Sequence, residues 1–166
     1  MVERLHGMQE VEGSIPFAST SVVNMSGYER HRHRDPVSLP DGTVIWAVSF
    51  DLDAPYERDE APAFGLYLDT RWNPPWPHAH LDWPDFSVPV DRTDARAALD
   101  DLLARARRGG RVEIGCLGAH GRTGTALACL AAMTGCAPAD AVAWVRANYC
   151  SHAVETDEQA AFVETI

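Results

Sequence analysis

Cys116-Leu117-Gly118-Ala119-His120-Gly121-Arg122-Thr123-Gly124 lies between a short apolar run, Val112 to Ile114, and an Ala/Leu-rich segment, Thr125 to Met133. That order reads strand, tight glycine loop, helix. A loop of this kind aims backbone N–H groups at whatever sits over the helix N-terminus, where the macrodipole favours an anion. The same field favours a thiolate: helix N-termini and nearby cations lower a cysteine pKa from ~8.5 to between ~3.5 and 7.5. Arg122 adds such a cation, and its planar fork suits two phosphate oxygens at once. The loop therefore combines a candidate nucleophile with a cradle for a tetrahedral dianion.

Working outward, Thr43 to Phe50 is β-branched and aromatic enough for a strand, with the turn signal Asp41-Gly42 before it. Phe64 to Leu68 makes another strand, and His78 to Asp82 a short one. Arg71-Trp72-Asn73-Pro74-Pro75-Trp76-Pro77 holds three prolines, which remove donors and fix φ, so it reads as an ordered loop near the active-site mouth. Thr93 to Arg108 predicts a helix: Ala95, Leu99, Leu102 and Ala106 share a face, and Gly109-Gly110 stop it. Pro138 suits the first turn of a further helix with an apolar stripe of Ala141, Val142, Val145 and Tyr149, and Thr156 caps a last short one. Strands crossing to helices, with the cysteine at a strand's C-terminal end, give an α/β fold around a central, largely parallel sheet. Residues 1–40 carry few periodic signals and receive no elements.

At 166 residues the chain suits one domain, 1–166, with a genuine core. Its 46% hydrophobic and 23% charged residues are ordinary for a globular protein. No run is long enough to cross a bilayer, and the N-terminus lacks a signal-peptide pattern, so a cytoplasmic location and no stable membrane insertion are expected. Four cysteines without close paired spacing then read as thiols. A net charge of −10 argues against a general nucleic-acid binder, which must neutralise many phosphates. It leaves a phosphorylated substrate open, because the local field at the loop governs binding there. A monomer is expected.

Three motifs carry a family resemblance. Cys116-x5-Arg122-Thr123 resembles the signature of the protein tyrosine phosphatase superfamily. Trp83-Pro84-Asp85-Phe86-Ser87-Val88-Pro89 is similar to the mobile W-P-D loop of its tyrosine-specific branch. Val154-Glu155-Thr156-Asp157-Glu158-Gln159, with Phe162, is similar to the glutamine-bearing segment that closes the same site. The resemblance implies a three-layer phosphatase fold with helices flanking the sheet, and a phosphomonoester hydrolase that needs neither metal nor cofactor. It implies Cys116 as nucleophile, forming a phosphocysteine. Arg122 and the loop N–H groups of Leu117, Gly118, Ala119, His120, Gly121 and Arg122 would bind the equatorial oxygens. Asp85 would be the general acid, Thr123 a donor to the leaving thiolate, and Gln159 the residue that orients water. Protein phosphotyrosine is the first expected substrate, with dual specificity beside it. Phosphoinositides, RNA 5′-phosphates or a non-catalytic phosphate-binding module are the alternatives.

The residues also carry plainer readings. Asp82 is a nearby competitor to Asp85 that falls outside the motif. Thr156-x-x-Gln159 fits a capping box, which would commit the glutamine to the helix end. His78, His80 and Asp82 have a spacing that suits a metal, set against polar support for the acid loop. Arg30-His31-Arg32-His33-Arg34 reads as a solvated loop, or as a rim that attracts phosphate. Three departures from the family stand out: Gly115 replaces the histidine before the nucleophile, Ala119 replaces a glycine, and His120 occupies a pocket-facing position where protonation would favour a dianion. Glu155 stands where relatives carry glutamine, and its charge beside a phosphate is unfavourable.

Overall fold

The computed structural model describes residues 22–23 and 29–166. Two units separate along the chain, Met1–His31 and Arg32–Ile166. Within the first, β1 (Val22–Val23) pairs antiparallel with β2 (Glu29–Arg30).

The second unit is built on a five-stranded sheet of β3 (Arg34–Ser38), β4 (Val44–Ser49), β5 (Phe64–Tyr67), β6 (His78–His80) and β7 (Val112–Cys116), ordered β3-β4-β7-β5-β6. Only the β3–β4 hairpin is antiparallel; the remaining neighbours are parallel. The largely parallel sheet is thus as the sequence leads one to expect. β3 is an addition: it lies within the segment 1–40 that carried few periodic signals, and it is held as a hairpin arm by its register with β4, from Arg34 opposite Val48 to Ser38 opposite Val44.

Alternation along the strands separates two cores. Ile45 and Ala47 of β4, Leu66 of β5, and Val112 and Ile114 of β7 face the helices. Those are α1 (Arg92–Arg107), α2 (Gly121–Met133), α3 (Pro138–Asn148) and α4 (Asp157–Val163), which contribute Leu99, Leu102, Leu127, Leu130, Val145 and Phe162 to the same cluster. The other face is covered by aromatic loop residues: Val48 and Tyr67 pack with Trp72 and Trp76, and Tyr67 stacks on Trp72 at 4.4 Å. The third layer of the unit is therefore loop. It contains the proline-rich segment read as a mouth, and that segment underlies the central strands.

The helix limits follow local chemistry. Asp91 caps α1 by accepting from Thr93 N at 2.7 Å and Asp94 N at 3.0 Å, an arrangement worth about 1 kcal/mol. Pro138 opens α3, where its missing N–H costs nothing. Helix α2 is buried along nearly its whole length, so the loop that feeds it is fixed between the sheet and a packed helix.

The apolar run before the loop hides one charge. Glu113 on β7 is fully buried and faces the aromatic layer. Both of its oxygens are bonded by Arg58, at 2.9 and 2.8 Å, and Tyr67 donates to Oε1 at 2.6 Å. Trp76 Nε1 in turn donates to the Tyr67 hydroxyl at 2.6 Å. A fully satisfied network of this kind holds the loop layer to the strand that carries Cys116.

Candidate active site

Cys116 ends β7 and Arg122 lies in the first turn of α2. Between them the backbone is tied outward at every carbonyl. Cys116 O and Leu117 O accept from Phe50 N, at 3.1 and 2.9 Å, and Leu117 O also accepts from Asp51 N. Gly118 O accepts from the Ser49 hydroxyl at 3.1 Å, and Ala119 O from the Tyr149 hydroxyl at 2.7 Å. His120 O accepts from Gly124 N at 2.9 Å and Val154 N at 3.4 Å. In a trans peptide the C=O and the following N–H point in opposite directions. The N–H groups of Leu117 through Gly121 therefore face away from those partners, and that of Ala119, with that of Thr123, bonds the Cys116 sulfur.

The Thr123 hydroxyl donates to Cys116 Sγ at 3.0 Å. Burial pushes the Cys116 thiol up, as the largest influence on it; the Thr123 hydroxyl, the Arg122 guanidinium and the N–H groups of Thr123 and Ala119 pull it down. The depressed thiol pKa expected from the loop alone is thus opposed by the depth at which the sulfur sits. Cys129, read as an inert small hydrophobe, is buried in α2, and burial pushes it up to about 12.

Arg122 gathers the other parts. Its Nη1 donates to Leu68 O at 2.8 Å and Trp83 O at 3.2 Å, and its Nη2 lies 3.4 Å from Asp69 Oδ2. Its Nε faces Asp85 Oδ1 at 3.3 Å, an ion pair without good hydrogen-bond alignment. Asp85, on a half-exposed side chain, is thereby brought to the arginine of the loop. The loop that bears it is anchored by Trp83, which is buried and donates from Nε1 to Ser87 O at 2.7 Å.

Gln159 is fully buried. Half of the capping box forms, since Thr156 Oγ1 accepts from Gln159 N at 3.1 Å. The return bond goes one residue early, with Gln159 Oε1 accepting from Glu155 N at 2.8 Å. Its Nε2 donates to Ser87 O at 3.2 Å, so this one side chain joins α4 to the acid loop. Sequence reasoning gave no role to Asp69 or Glu155, and both belong to the site. Asp69 bonds Arg71 at 2.6 Å as well as facing Arg122, and its hydrogen bonds with Arg71 hold its pKa down at about 2. The carboxylate of Glu155 packs directly on Gly121, and burial, then Asp85, push it up against the pull of Arg122. No local pattern reveals Asp69, whereas Glu155 was visible within the third motif but was given no role.

Backbone strain marks the same three segments. Among the described residues, the non-glycine positions with positive φ are Phe86 (57°), Ala119 (59°) and Val154 (65°). Each lies in one of the three motifs, and each costs on the order of 1–3 kcal/mol, a pattern that accompanies functional sites.

The departures at 115 and 120 acquire physical reasons. A Cβ on Gly115 would lie 2.5 Å from Val48 O and 3.4 Å from Trp72 Cζ2, so no histidine fits there. The His120 ring, expected to face the pocket, packs edge-on to His33 at 5.0 Å and His152 at 6.1 Å. The basic run before β3 is corrected in part: His33 is buried, and Arg34 begins a strand. His78 Nδ1 contacts Trp76 O at 2.9 Å and His80 Nε2 contacts Trp72 O at 2.6 Å, so both rings bond the proline-rich loop rather than the acid loop they were expected to support.

The comparisons agree with this geometry. Residues 76–163, more than half the chain, match the family described as PTP-SAK, Swiss Army Knife protein, DSP-PTPase phosphatase domain. The chain is 33% identical over 108 residues to uncharacterized protein MJECL20 of Methanocaldococcus jannaschii, covering 59% of this chain and 71% of that protein. A second uncharacterized protein of that organism, MJ0215, is 32% identical over 108 residues, covering 59% and 66%. Among solved structures, Tk-PTP in the active form superposes with a TM-score of 0.64 at 23% identity, covering 78% of this chain and 94% of that one. A kinase associated phosphatase with serine in place of its catalytic-site cysteine gives 0.64 at 15%, covering 80% and 92%. At these identities the two structures establish the fold alone. The chain belongs to the PTP-SAK family of DSP-PTPase phosphatase domains, within the protein tyrosine phosphatase superfamily.

Proposed function

We propose that the protein hydrolyses phosphomonoesters through a phosphocysteine at Cys116, with protein phosphotyrosine as its first substrate. The observation that carries this reading is the bonded set of five carbonyls from Cys116 to His120, with the Thr123 hydroxyl and the N–H groups of Ala119 and Thr123 on the sulfur. The dipole of α2 and those N–H groups favour the thiolate against its burial. In the first step the Cys116 sulfur attacks phosphorus; the S–P bond forms as the bond to the leaving oxygen breaks. Asp85 gives its proton to that oxygen, which otherwise departs as a strong base. Arg122 turns its fork from Asp85 and Asp69 to the equatorial oxygens, and the N–H groups from Leu117 to Arg122 share the load. In the second step water attacks phosphorus, the S–P bond breaks, and Asp85 takes the water's proton. Thr123 donates to the departing thiolate. Gln159 orients the water once Nε2 leaves Ser87 O.

Phe86 favours an aryl ester: it follows Asp85 and is 61% exposed, an apolar surface beside the leaving group. Glu155 against Gly121 disfavours polyanions such as phosphoinositides and RNA 5′-ends. The test is turnover of p-nitrophenyl phosphate by wild type and Cys116→Ser, followed by a panel of phosphotyrosine peptide, phosphothreonine peptide, phosphoinositide and 5′-phosphorylated RNA. Turnover that vanishes in Cys116→Ser and is fastest on phosphotyrosine supports the reading. Phosphopeptide binding without turnover by wild type identifies a binding module and ends it.

A further inference from the structure

Outside the phosphate cradle, His120 belongs to a second cluster. One ring nitrogen of His33, one of His120 and the sulfur of Cys150 lie within 4.8 Å of one another. They come from three separate places: the residue before β3, the phosphate loop, and the turn that ends α3. His33 and Cys150 are buried, at 4% and 5% exposure, and His120 is half-buried. Tyr149 walls the cluster, its ring 4.6 Å from that of His33 and its hydroxyl on Ala119 O. Behind His33, Nδ1 meets Asp35 Oδ2 at 2.8 Å. That carboxylate fixes the ring and makes Nε2 the ligating nitrogen, the arrangement that metal-bound histidines commonly have.

We propose that His33, His120 and Cys150 form a binding site for a zinc-type divalent ion, seated against the outer side of the phosphate loop. Two imidazoles and one thiolate are a zinc donor set, whereas calcium and magnesium take oxygen ligands. With Zn–N at ~2.0 Å and Zn–S at ~2.3 Å, tetrahedral ligand atoms stand ~3.3–3.6 Å apart. Contraction of at most about 1.2–1.5 Å from the present spacing, within reach of side-chain rotation, completes the site. Cys150 releases its proton to solvent on binding, and the fourth tetrahedral position stays open to a further donor. His120 O already holds Gly124 and Val154. An ion on its ring would tie the phosphate loop to the start of β3 and the end of α3 as well. The proposal does not depend on the substrate of Cys116.

The test uses the full chain, stripped with chelator and titrated with Zn²⁺ against a chromophoric competitor, with Co²⁺ absorption as a second readout. The expected result is one ion per chain, with a tetrahedral Co²⁺ spectrum that includes a thiolate-to-cobalt band. Cys150→Ser removes that band and weakens Zn²⁺ binding by about a hundredfold or more, and His33→Gln weakens it similarly. Asp35→Asn leaves all three ligands in place and weakens binding ~10–100-fold. Cys116→Ser retains both the band and the affinity. If Cys150→Ser fails to fold, His33→Gln and Asp35→Asn decide. Absence of stoichiometric binding overturns the proposal. So does binding that survives Cys150→Ser and is lost in Cys116→Ser, which would place the ion on the nucleophile.

Discussion

Restoring the family's histidine before Cys116 is expected to destroy this protein, and Gly115→Ala is already enough to show why. β7 runs parallel to β4 with Gly115 opposite Val48. A methyl group on Gly115 would stand 2.5 Å from Val48 O and 3.4 Å from both Val48 C and Trp72 Cζ2. The first contact is backbone in a paired strand, which cannot rotate aside. The second is a fully buried ring stacked on Tyr67. Relief requires about 0.7 Å of extra separation between two central strands, and overpacking of this kind costs on the order of 1–3 kcal/mol. With no flexible neighbour to yield, Gly115→Ala should fall near ~3 kcal/mol, or ~6–12 °C in Tm for a domain of this size. Gly115→His adds a ring where Trp72 sits and should not fold. Because Cys116 is the next residue, the same displacement moves the sulfur relative to Arg122, and a shift of ~1 Å costs ~100-fold in rate. Urea unfolding with a fitted m-value, beside kcat/KM on an aryl phosphate, measures both effects. Gly110→Ala is the control: its new methyl meets Ala63 Cβ at 3.4 Å and Arg105 O at 3.5 Å, ordinary contacts. Its cost should stay within about 0.5 kcal/mol. A Gly115→Ala protein as stable as the control would refute the close-approach argument.

The remaining predictions bear on the site. Thr123→Ala removes a donor 3.0 Å from Cys116 Sγ. A hydrogen bond to a charged group is worth ~1.5–3 kcal/mol, so losing it should push the thiol pKa up, read as an alkaline shift in the pH profile of iodoacetamide alkylation. An unshifted profile counts against it. Asp85→Ala should lower kcat on phosphotyrosine peptide ~10²–10⁴-fold while leaving binding intact, and equal losses in both would assign Asp85 a structural role instead. Asp69 has its pKa lowered from 3.8 to about 2, so its contribution is full above the unfolded value and lost as pH falls through the folded one. Unfolding free energy should drop by ~2 kcal/mol from this group between about pH 4 and pH 2, and Asp69→Asn should flatten that segment of the curve.

Much of the site was legible because its parts are local. Cys116 and Arg122 are six residues apart across a strand end and a helix start, and glycine spacing alone predicts the turn that joins them. The helix limits at Pro138 and Thr156 were legible for the same reason: capping is a contact between near neighbours. Gln159 shows where local reading ends. The capping pattern was visible and half of it forms, yet the amide's other partner, Ser87, lies in the acid loop, 72 residues away. β3 escaped notice because its strand character comes from pairing with β4, beside a basic run that reads as surface.

The sequence by itself determined the motifs of the candidate site, their order along the chain and the class of fold, since those rest on spacing and on periodicity within single elements. Only the tertiary structure decided what surrounds that centre. Val48 excludes a side chain at 115, Asp69 holds Arg122, Glu155 rests on Gly121, and His33 meets His120 and Cys150. Each of these pairs residues far apart in the chain. Their distances are set by strand register and helix packing, quantities that no short window of sequence records.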